Sequence, residues 1–137
     1  MRAPPPLGPV PVSPLSVLVV DDHDIVRDAL VVLIGGTPGL TVWGDAASGE
    51  GALALLSASE VRGRPDVVVS DVEMPGMSGV ELAAALRSRW PALPCLMVSA
   101  HHPGLYAERA LAAGAVGYVE KGDPRGIVAE IERAATA

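Results

Sequence analysis

Several charged and hydroxyl side chains of this 137-residue chain each follow a short apolar run directly. Asp21 and Asp22 follow LSVLVV, Asp71 follows PDVVVS, Ser99 lies near the end of CLMVSA, and Lys121 follows VGYVE. An acidic residue after a strand commonly caps the next helix, so each residue taken alone is uninformative. Together, these carboxylates, the hydroxyl and the ammonium group predict a shared site, provided that the strands belong to one sheet.

The chemistry of such a site follows from its charge. Clustered carboxylates repel one another, so they either bind protons or recruit a cation. Mg²⁺, or Mn²⁺ in its place, suits hard oxygen ligands and combines one or two carboxylates with phosphate oxygens. With a cation on one side and Lys121 on the other, an oxygen of Asp71 can attack a phosphoryl group, as carboxylates do in aspartyl-phosphate chemistry. The Ser99 hydroxyl can then donate a hydrogen bond to the new phosphoryl group.

Alternating strand and helix signals supply the elements that position these residues. The predicted strands are LSVLVV, LTVWGDA, PDVVVS, CLMVSA and VGYVE, and a helical pattern follows each of them. Such alternation predicts an α/β fold, namely a flavodoxin-like (βα)5 doubly wound sheet of five parallel strands in the order 2-1-3-4-5. Ligands of these sheets lie outside the carboxyl ends of the strands, where the candidate residues fall.

The predicted helices carry recognisable ends. Ser48 and Ser78 fit the N-cap positions of the second and third helices, and Pro124 fits the first turn of the last. The first helix is expected to end at Gly35-Gly36. Four of its apolar residues fall at helical spacing, namely Ile25, Ala29, Leu30 and Leu33.

Composition limits the class of protein. Half of the residues are hydrophobic, yet Phe is absent and only two Trp and two Tyr occur, which predicts an aliphatic core. The single cysteine, Cys95, rules out an internal disulfide and suits a reducing compartment. The apolar runs are too short for a membrane span, and nothing at the start resembles a signal peptide. A net charge of −6 without a basic stripe argues against direct nucleic-acid binding. A soluble, cytoplasmic domain is therefore expected.

The first 14 residues, MRAPPPLGPVPVSP, contain six of the 13 prolines and no periodicity. Proline lacks the backbone donor that helices and strands require, so a Pro-rich disordered N-terminal arm is expected over 1–14, with a partner ligand as the alternative. The folded domain is expected over 15–137.

Over about residues 15–136 the sequence resembles the CheY-like receiver domain of a two-component response regulator. The matching segments are VLVVDDH, PDVVVSDVEMPGMSGVEL, LMVSA, ALAAGAVGYVEKGD and the final amphipathic helix. DDH and ALAAGAVGYVEK are most similar to the NarL/FixJ branch, whose receivers precede a LuxR-type helix-turn-helix. The resemblance implies that Asp71 accepts a phosphoryl group from the phosphohistidine of a cognate sensor histidine kinase. It also implies a phosphoacceptor that takes part in its own phosphorylation and dephosphorylation, and not an enzyme.

The resemblance further implies a role for each site residue. Asp22 and Asp71 would hold Mg²⁺ directly together with the backbone carbonyl of Glu73, while Asp21 assists through water. Lys121 corresponds to the family's phosphate-binding lysine. Ser99 and Tyr118 correspond to its switch pair, so that phosphorylation draws Ser99 inward and lets Tyr118 rotate from an exposed to a buried position.

Three departures from the family pattern stand out. Position 73 is Glu, and His101 follows Ser99 by two residues, so both side chains are expected to flank the pocket. We hypothesise that Glu73 and His101 tune the lifetime of the phosphoryl group, the alternative being two solvated side chains. Gly122 stands after Lys121, where many receivers have proline.

The sequence leaves open which output the receiver controls. The resemblance implies transcription regulation by a DNA-binding domain absent from this chain, with a stand-alone regulator acting through protein–protein contacts as the alternative. A homodimer through the first and last helices is expected, unless their apolar residues complete the core: Val31, Val32, Ile127, Val128 and Ile131.

Two other classes share parts of the pattern. A haloacid-dehalogenase-like phosphatase requires D-x-D after the first strand, and a flavodoxin requires a hydroxyl-rich loop where this chain has DDH.

Overall fold

The computed structural model describes residues 13–100 and 105–136, so most of the Pro-rich segment lies outside the described residues. The strands are β1 (Leu15–Val20), β2 (Leu40–Ala46), β3 (Val67–Asp71), β4 (Cys95–Ser99) and β5 (Gly117–Glu120). The helices are α1 (Asp24–Gly35), α2 (Gly49–Ser57), α3 (Gly79–Arg89), α4 (Leu105–Ala113) and α5 (Pro124–Thr136). Within the described ranges, no helix combines the length and the apolar character needed to cross a bilayer.

The strands form one parallel sheet in the order β2-β1-β3-β4-β5, as predicted. All residues of β3 and β4 are buried, which explains why both read as continuous apolar runs and not as alternating ones. β1 and β3 are neighbours although β2 separates them in sequence, so the winding direction reverses between them. A crevice is expected at this reversal, above the carboxyl ends of the strands.

The core lies in two layers, one on each face of the sheet. α1 and α5 cover one face, where Leu30, Ile34, Ile127 and Ile131 pack against β-branched residues of the strands. α2, α3 and α4 cover the other face with buried residues that include Leu56, Leu82 and Ala110. The buried hydrophobic side chains of the described chain are aliphatic, methionine or cysteine, as predicted from the composition.

The predicted helix α1 is confirmed, and its apolar residues at helical spacing divide between the core and the surface. Ile25 is 85% exposed and Ala29 is also exposed, whereas Leu30 and Ile34 are buried. The stripe that faces the sheet is Val26, Leu30 and Ile34, at i, i+4 and i+8. Ile25 and Val26 are adjacent and equally apolar, so the sequence pattern alone does not fix the rotation of the helix.

Side-chain caps set the beginnings of two helices that follow strands. Ser48 caps α2 by accepting a hydrogen bond from Gly51 N–H. Ser78 and Glu81 form a capping box at the start of α3, in which each side chain accepts a backbone N–H of the other residue. Both predicted caps are therefore confirmed. α1 ends at Gly35 with Gly36 as its C-cap, also as predicted.

The apolar residues of the first and last helices divide into two groups. Ile127 and Ile131 are fully buried against the sheet, so they complete the core and are not available to a partner. Val32 is 73% exposed, and Val31 and Val128 are half-buried. The surface expectation is therefore wrong for the two isoleucines, because the α5 residues spaced by four pack inward.

Candidate functional site

The carboxyl edge of the sheet brings Lys121 between two buried aspartates. Its Nζ lies 2.8 Å from Asp21 Oδ2 and 3.2 Å from Asp71 Oδ2. The Asp21 side chain is fully buried and the Asp71 side chain is 7% exposed, whereas that of Asp22 is 24% exposed. Residues that are 100 positions apart in sequence therefore share one ionic site.

This environment shifts the pKa of two groups. Burial raises the pKa of the Asp71 carboxyl above its ordinary value, and the negative charge of Asp21 adds to this effect, although Lys121 opposes it. Burial alone would lower the pKa of Lys121, but its ion pairs with Asp21 and Asp71 more than offset the desolvation, so its pKa is raised. Lys121 is therefore a firmly charged ammonium group at neutral pH.

The backbone of the loop between β3 and α3 is anchored by contacts away from the Asp71 side chain, so the loop does not cover this side chain. Gly79, the first residue of α3, donates its N–H to the carbonyl of Val72 at 3.0 Å. A Cβ on Gly79 would collide with the Asp71 carbonyl oxygen, so only glycine permits this approach. Glu50 of α2 accepts a hydrogen bond from Met77 N–H at 3.2 Å, which ties the loop to the neighbouring helix.

The loop between β1 and α1 is held by Arg27, one helical turn further along the chain. Its guanidinium donates to the Asp21 backbone carbonyl at 2.8 Å and to the Asp45 carboxylate at 3.0 Å, and it also pairs with Asp24 at 2.7 Å. Arg27 was not among the predicted site residues. Its spacing after the aspartate pair was a usable signal, because a side chain one turn into a helix can reach back over the preceding loop.

His23 lies beside the carboxylates and was also missed as a site residue. Its Nδ1 lies 3.3 Å from Asp21 Oδ1, 3.4 Å from Asp22 Oδ1 and 3.9 Å from Asp71 Oδ2. Its backbone N–H donates to Asp21 Oδ1 at 2.9 Å, which fixes the turn out of β1. Its position directly after the aspartate pair was the signal that could have identified it.

The remaining predicted residues lie around this centre. Ser99 is buried at the end of β4, and its carbonyl accepts the backbone N–H of Lys121 at 2.8 Å. Tyr118 of β5 is half-buried against the core layer beneath α2, α3 and α4. The backbone N–H of Glu73 points to Asp71 Oδ1 at 3.5 Å, and its side chain is exposed. His101 lies outside the described residues.

The side chains fit a divalent cation. Asp21, Asp22, His23 and Asp71 each offer one ligand atom, and these atoms lie within 4.8 Å of one another. The buried Asp22 Oδ1 accepts no hydrogen bond from any described residue, which is costly unless another positive partner approaches. Three carboxylates against one lysine leave two uncompensated negative charges, which matches a cation of charge +2. The cluster can therefore bind a metal through oxygen ligands, as predicted for Mg²⁺.

Comparison with known proteins identifies the family. Residues 17–132 match the family model described as response regulator receiver domain. The chain belongs to this family. This assignment removes the phosphatase and flavodoxin alternatives and confirms the expected receiver fold.

Individual relatives place this receiver in the NarL branch. The chain is 43% identical over 107 residues to the DNA-binding transcriptional activator DevR/DosR of Mycobacterium tuberculosis, covering 78% of this chain and 48% of that protein. It is 40% identical over 108 residues to the response regulator GacA of Pseudomonas aeruginosa, covering 79% and 49%. The signal receiver domain of NarL from Mycobacterium tuberculosis superposes with a TM-score of 0.83 at 33% identity, covering 92% of this chain and 99% of that one. This receiver spans about half the length of the curated relatives that it matches.

Proposed function

We propose that residues 15–137 form a receiver unit in which Asp71 accepts a phosphoryl group from the phosphohistidine of a sensor histidine kinase. The observation that supports this most strongly is the position of Asp71 Oδ2, 3.2 Å from Lys121 Nζ within a cluster of three carboxylates. A buried carboxylate beside an ammonium group and a metal-binding cluster is equipped to attack phosphorus. A role in structure alone would not require two excess negative charges there.

In the proposed reaction an Asp71 oxygen attacks the phosphorus atom and forms an acyl phosphate. The P–N bond of the kinase phosphohistidine breaks, and the imidazole nitrogen keeps the bonding electron pair. Lys121 pairs with the oxygens of the transferring group, which carry the growing negative charge. Asp21 holds the ammonium group in place from its other side, at 2.8 Å. The Ser99 hydroxyl donates to the phosphoryl group once it is on Asp71.

Asp22, Asp71 and the backbone carbonyl of Glu73 would hold Mg²⁺ or Mn²⁺ directly, and Asp21 would assist through water. When bound, the cation neutralises phosphoryl oxygens and lowers the repulsion between an anionic donor and the acidic cluster. The uncompensated oxygen of Asp22 supports this role, because it already faces the cluster without a hydrogen-bond donor among the described residues.

Signalling would follow from a shift between two conformations of the same fold. Ser99 moves toward the phosphorylated Asp71, and Tyr118 takes the space behind it, which changes the surface of α4, β5 and α5. Tyr118 begins half-buried, so the change is one of packing in addition to exposure. The relative DevR/DosR is a DNA-binding transcriptional activator, which supports a transcriptional output carried by another domain. The exposed Val32 and the half-buried Val128 support a homodimer through α1 and α5.

Glu73 and His101 are proposed to set how long the phosphoryl group lasts. Glu73 follows the acceptor Asp71 by two residues, and its side chain is exposed. Glu73→Ala and His101→Ala should each change the dephosphorylation rate at least twofold, measured by intact mass after removal of the donor. Unchanged lifetimes in both variants would remove this proposal and leave the acceptor role of Asp71 intact.

Acetyl phosphate with Mg²⁺ tests the acceptor role directly. Intact mass spectrometry should show one added phosphoryl group on the wild-type chain, none with Asp71→Asn, and full labelling with the surface control Asp66→Asn. Chelation of divalent cations should abolish labelling. Labelling of Asp71→Asn to the wild-type level would refute the proposal.

A further inference from the structure

A groove crosses the amino edge of the sheet, at the end opposite to Asp71. Two adjoining cavities of about 570 Å³ and 410 Å³ form it, and they share four lining residues: Pro65, Pro91, Ala92 and Leu93. Cys95, the first residue of β4, lines the larger cavity, and the half-buried Trp90 lines the smaller one. The shared floor of this amino-edge groove is therefore apolar.

Arginines line the rim of the amino-edge groove. Arg64 and Arg89 lie beside Trp90, with their guanidinium carbons 5.3 Å and 4.4 Å from the centre of its ring. Arg89 also donates to the Ser57 hydroxyl at 2.8 Å, and Arg87 lines the larger cavity. An indole orients a guanidinium group without using its N–H donors. Most of the five donors of each stacked arginine therefore remain available to a ligand.

The positive charge of this rim is not compensated nearby. Across residues 13–100 and 105–136, Arg64, Arg87 and Arg89 form no ion pair with a carboxylate. The dipole of α3 accounts for Arg87 and Arg89 in its last turn, but not for Arg64, which belongs to the loop before β3. Asp66 also lines the groove, but its Oδ2 accepts hydrogen bonds from the Ser16 N–H at 2.7 Å and hydroxyl at 3.2 Å. In a chain of net charge −6, this local positive patch fits an anionic partner.

We propose that the amino-edge groove binds a short acidic segment of a partner protein. Carboxylates of this segment pair with Arg64 and Arg89, because the planar guanidinium group matches a carboxylate with two parallel hydrogen bonds. An apolar side chain of the segment packs beside Trp90 on the floor formed by Pro91 and Leu93, where it is removed from water. The two cavities join end to end, which suits an extended peptide.

The apolar floor and the overall charge favour a peptide over nucleic acid. A duplex backbone offers phosphate charge to the arginines, but it carries no apolar group for the floor. A duplex also extends beyond the groove, over a protein surface of net negative charge that repels it. A short acidic segment supplies an apolar anchor and stays close to the positive rim.

The proposal is independent of the phosphoacceptor role, because the groove and the carboxylate cluster share no residue. Parallel strands place Asp71 and the groove at opposite edges of the sheet, so a kinase and the acidic partner can bind at the same time. Loss of peptide binding would leave the labelling of Asp71 unchanged. Failure of labelling would likewise leave the groove unaffected.

Fluorescence anisotropy of labelled peptides tests binding to the full chain without a phosphodonor. In the first probe, pairs of glutamates alternate with single leucines, and the second probe has serine in place of each leucine. We expect the chain to bind the first probe at least fivefold more tightly than the second, and high salt to weaken both. A chain that binds neither probe, or both equally, would overturn the proposal.

Two double variants separate the groove from general charge. Arg64→Gln with Arg89→Gln removes the stacked guanidinium groups, and the matched control, Arg109→Gln with Arg125→Gln, removes exposed arginines of α4 and α5. Both change the net charge equally, and circular dichroism verifies that both are folded. The affinity for the first probe should fall at least tenfold in the groove variant and less than twofold in the control. Equal affinities of the two variants would overturn the proposal.

Nuclear magnetic resonance of the wild-type chain locates the probe without any substitution. Titration with the first probe should shift the amide signals of residues 89–93 and the indole N–H of Trp90, but not the amide signals of Asp22 and Lys121. Shifts confined to the carboxyl edge would overturn the proposal. A labelled DNA duplex is titrated in parallel. Shifts of the same groove signals at a lower concentration of duplex than of peptide would assign the groove to nucleic acid and also overturn it.

Discussion

Replacement of Lys121 by methionine removes the ammonium group that separates two buried carboxylates. Nζ lies 2.8 Å from Asp21 Oδ2 and 3.2 Å from Asp71 Oδ2, and its side chain is 15% exposed. At an effective dielectric constant near 20, each pair at this distance gains about 5 kcal/mol of gross Coulomb attraction, most of which is cancelled by desolvation. Removal of one partner of a buried pair typically costs about 3–5 kcal/mol, because the other charge stays buried and uncompensated.

We therefore expect Lys121→Met to lower the free energy of unfolding by about 3 kcal/mol at pH 7 without divalent cations. For a chain of this size the midpoint of thermal unfolding should fall by roughly 10 °C. The raised pKa of Lys121 sets the pH window: the ion pairs stabilise the fold below the ordinary lysine pKa of 10.5 and lose this effect as the pH rises through the raised value. At acid pH the deficit should shrink, because the carboxylates become protonated.

The assay is urea denaturation followed by circular dichroism, with and without Mg²⁺. Mg²⁺ should stabilise Lys121→Met more than the wild type, since the cation takes over part of the neutralisation. Arg125→Met, which removes an exposed cation from the first turn of α5, is the matched control and should change stability by less than about 0.5 kcal/mol. A Lys121→Met variant as stable as this control, with no added response to Mg²⁺, would refute the electrostatic reasoning.

Other perturbations should report the same site and the elements that hold it. Asp71→Asn should stabilise the fold by up to about 1 kcal/mol at pH 7. The pKa of Asp71 is raised in the folded chain, so the stability of the wild type falls as the pH rises through that pKa. In urea titrations at acid pH, where the carboxyl is protonated, the difference between the variant and the wild type should vanish. Ser78→Ala removes the cap of α3 and should cost about 1 kcal/mol in the same titrations; no loss would mean that the capping box contributes little. Gly79→Ala should cost more than about 2 kcal/mol and impair labelling of Asp71, since a Cβ would strike its carbonyl oxygen. The control Gly122→Ala meets open space and should be nearly neutral.

The fold and the centre of the site could be predicted because both depend on short-range patterns. Continuous apolar runs identified the buried strands, and parallel strands place their carboxyl ends on one edge of the sheet. Asp21, Asp71 and Lys121 were therefore expected to meet. Carboxylate oxygens of Asp21 and Asp71 lie 2.8 Å and 3.2 Å from the Lys121 ammonium nitrogen. The caps at Ser48 and Ser78 involve residues only three positions apart, which local sequence also determines.

The features that were missed depend on the rotation of α1 and on the direction of single side chains. Ile25 and Val26 are both apolar neighbours, and only the packed sheet decides that Val26 faces inward. Arg27 and His23 reach the site only when α1 is packed against the sheet. Arg27 then contacts the Asp21 carbonyl, and His23 contacts the carboxylate cluster. Spacing after the aspartate pair marks both residues as candidates, but their contacts are fixed only when α1 packs against the sheet.

The central claim is that Asp71 carries the phosphoryl group within a pocket shared with Asp22 and Lys121. Reduction of the acetyl-phosphate-treated chain with borohydride tests it most directly, because an aspartyl phosphate is reduced to homoserine and so marks its own position. Peptide mass mapping should find homoserine at position 71 in chains treated with Mg²⁺ and donor, and none in chains treated with chelator. Homoserine at another aspartate, with Asp71 intact, would contradict the account.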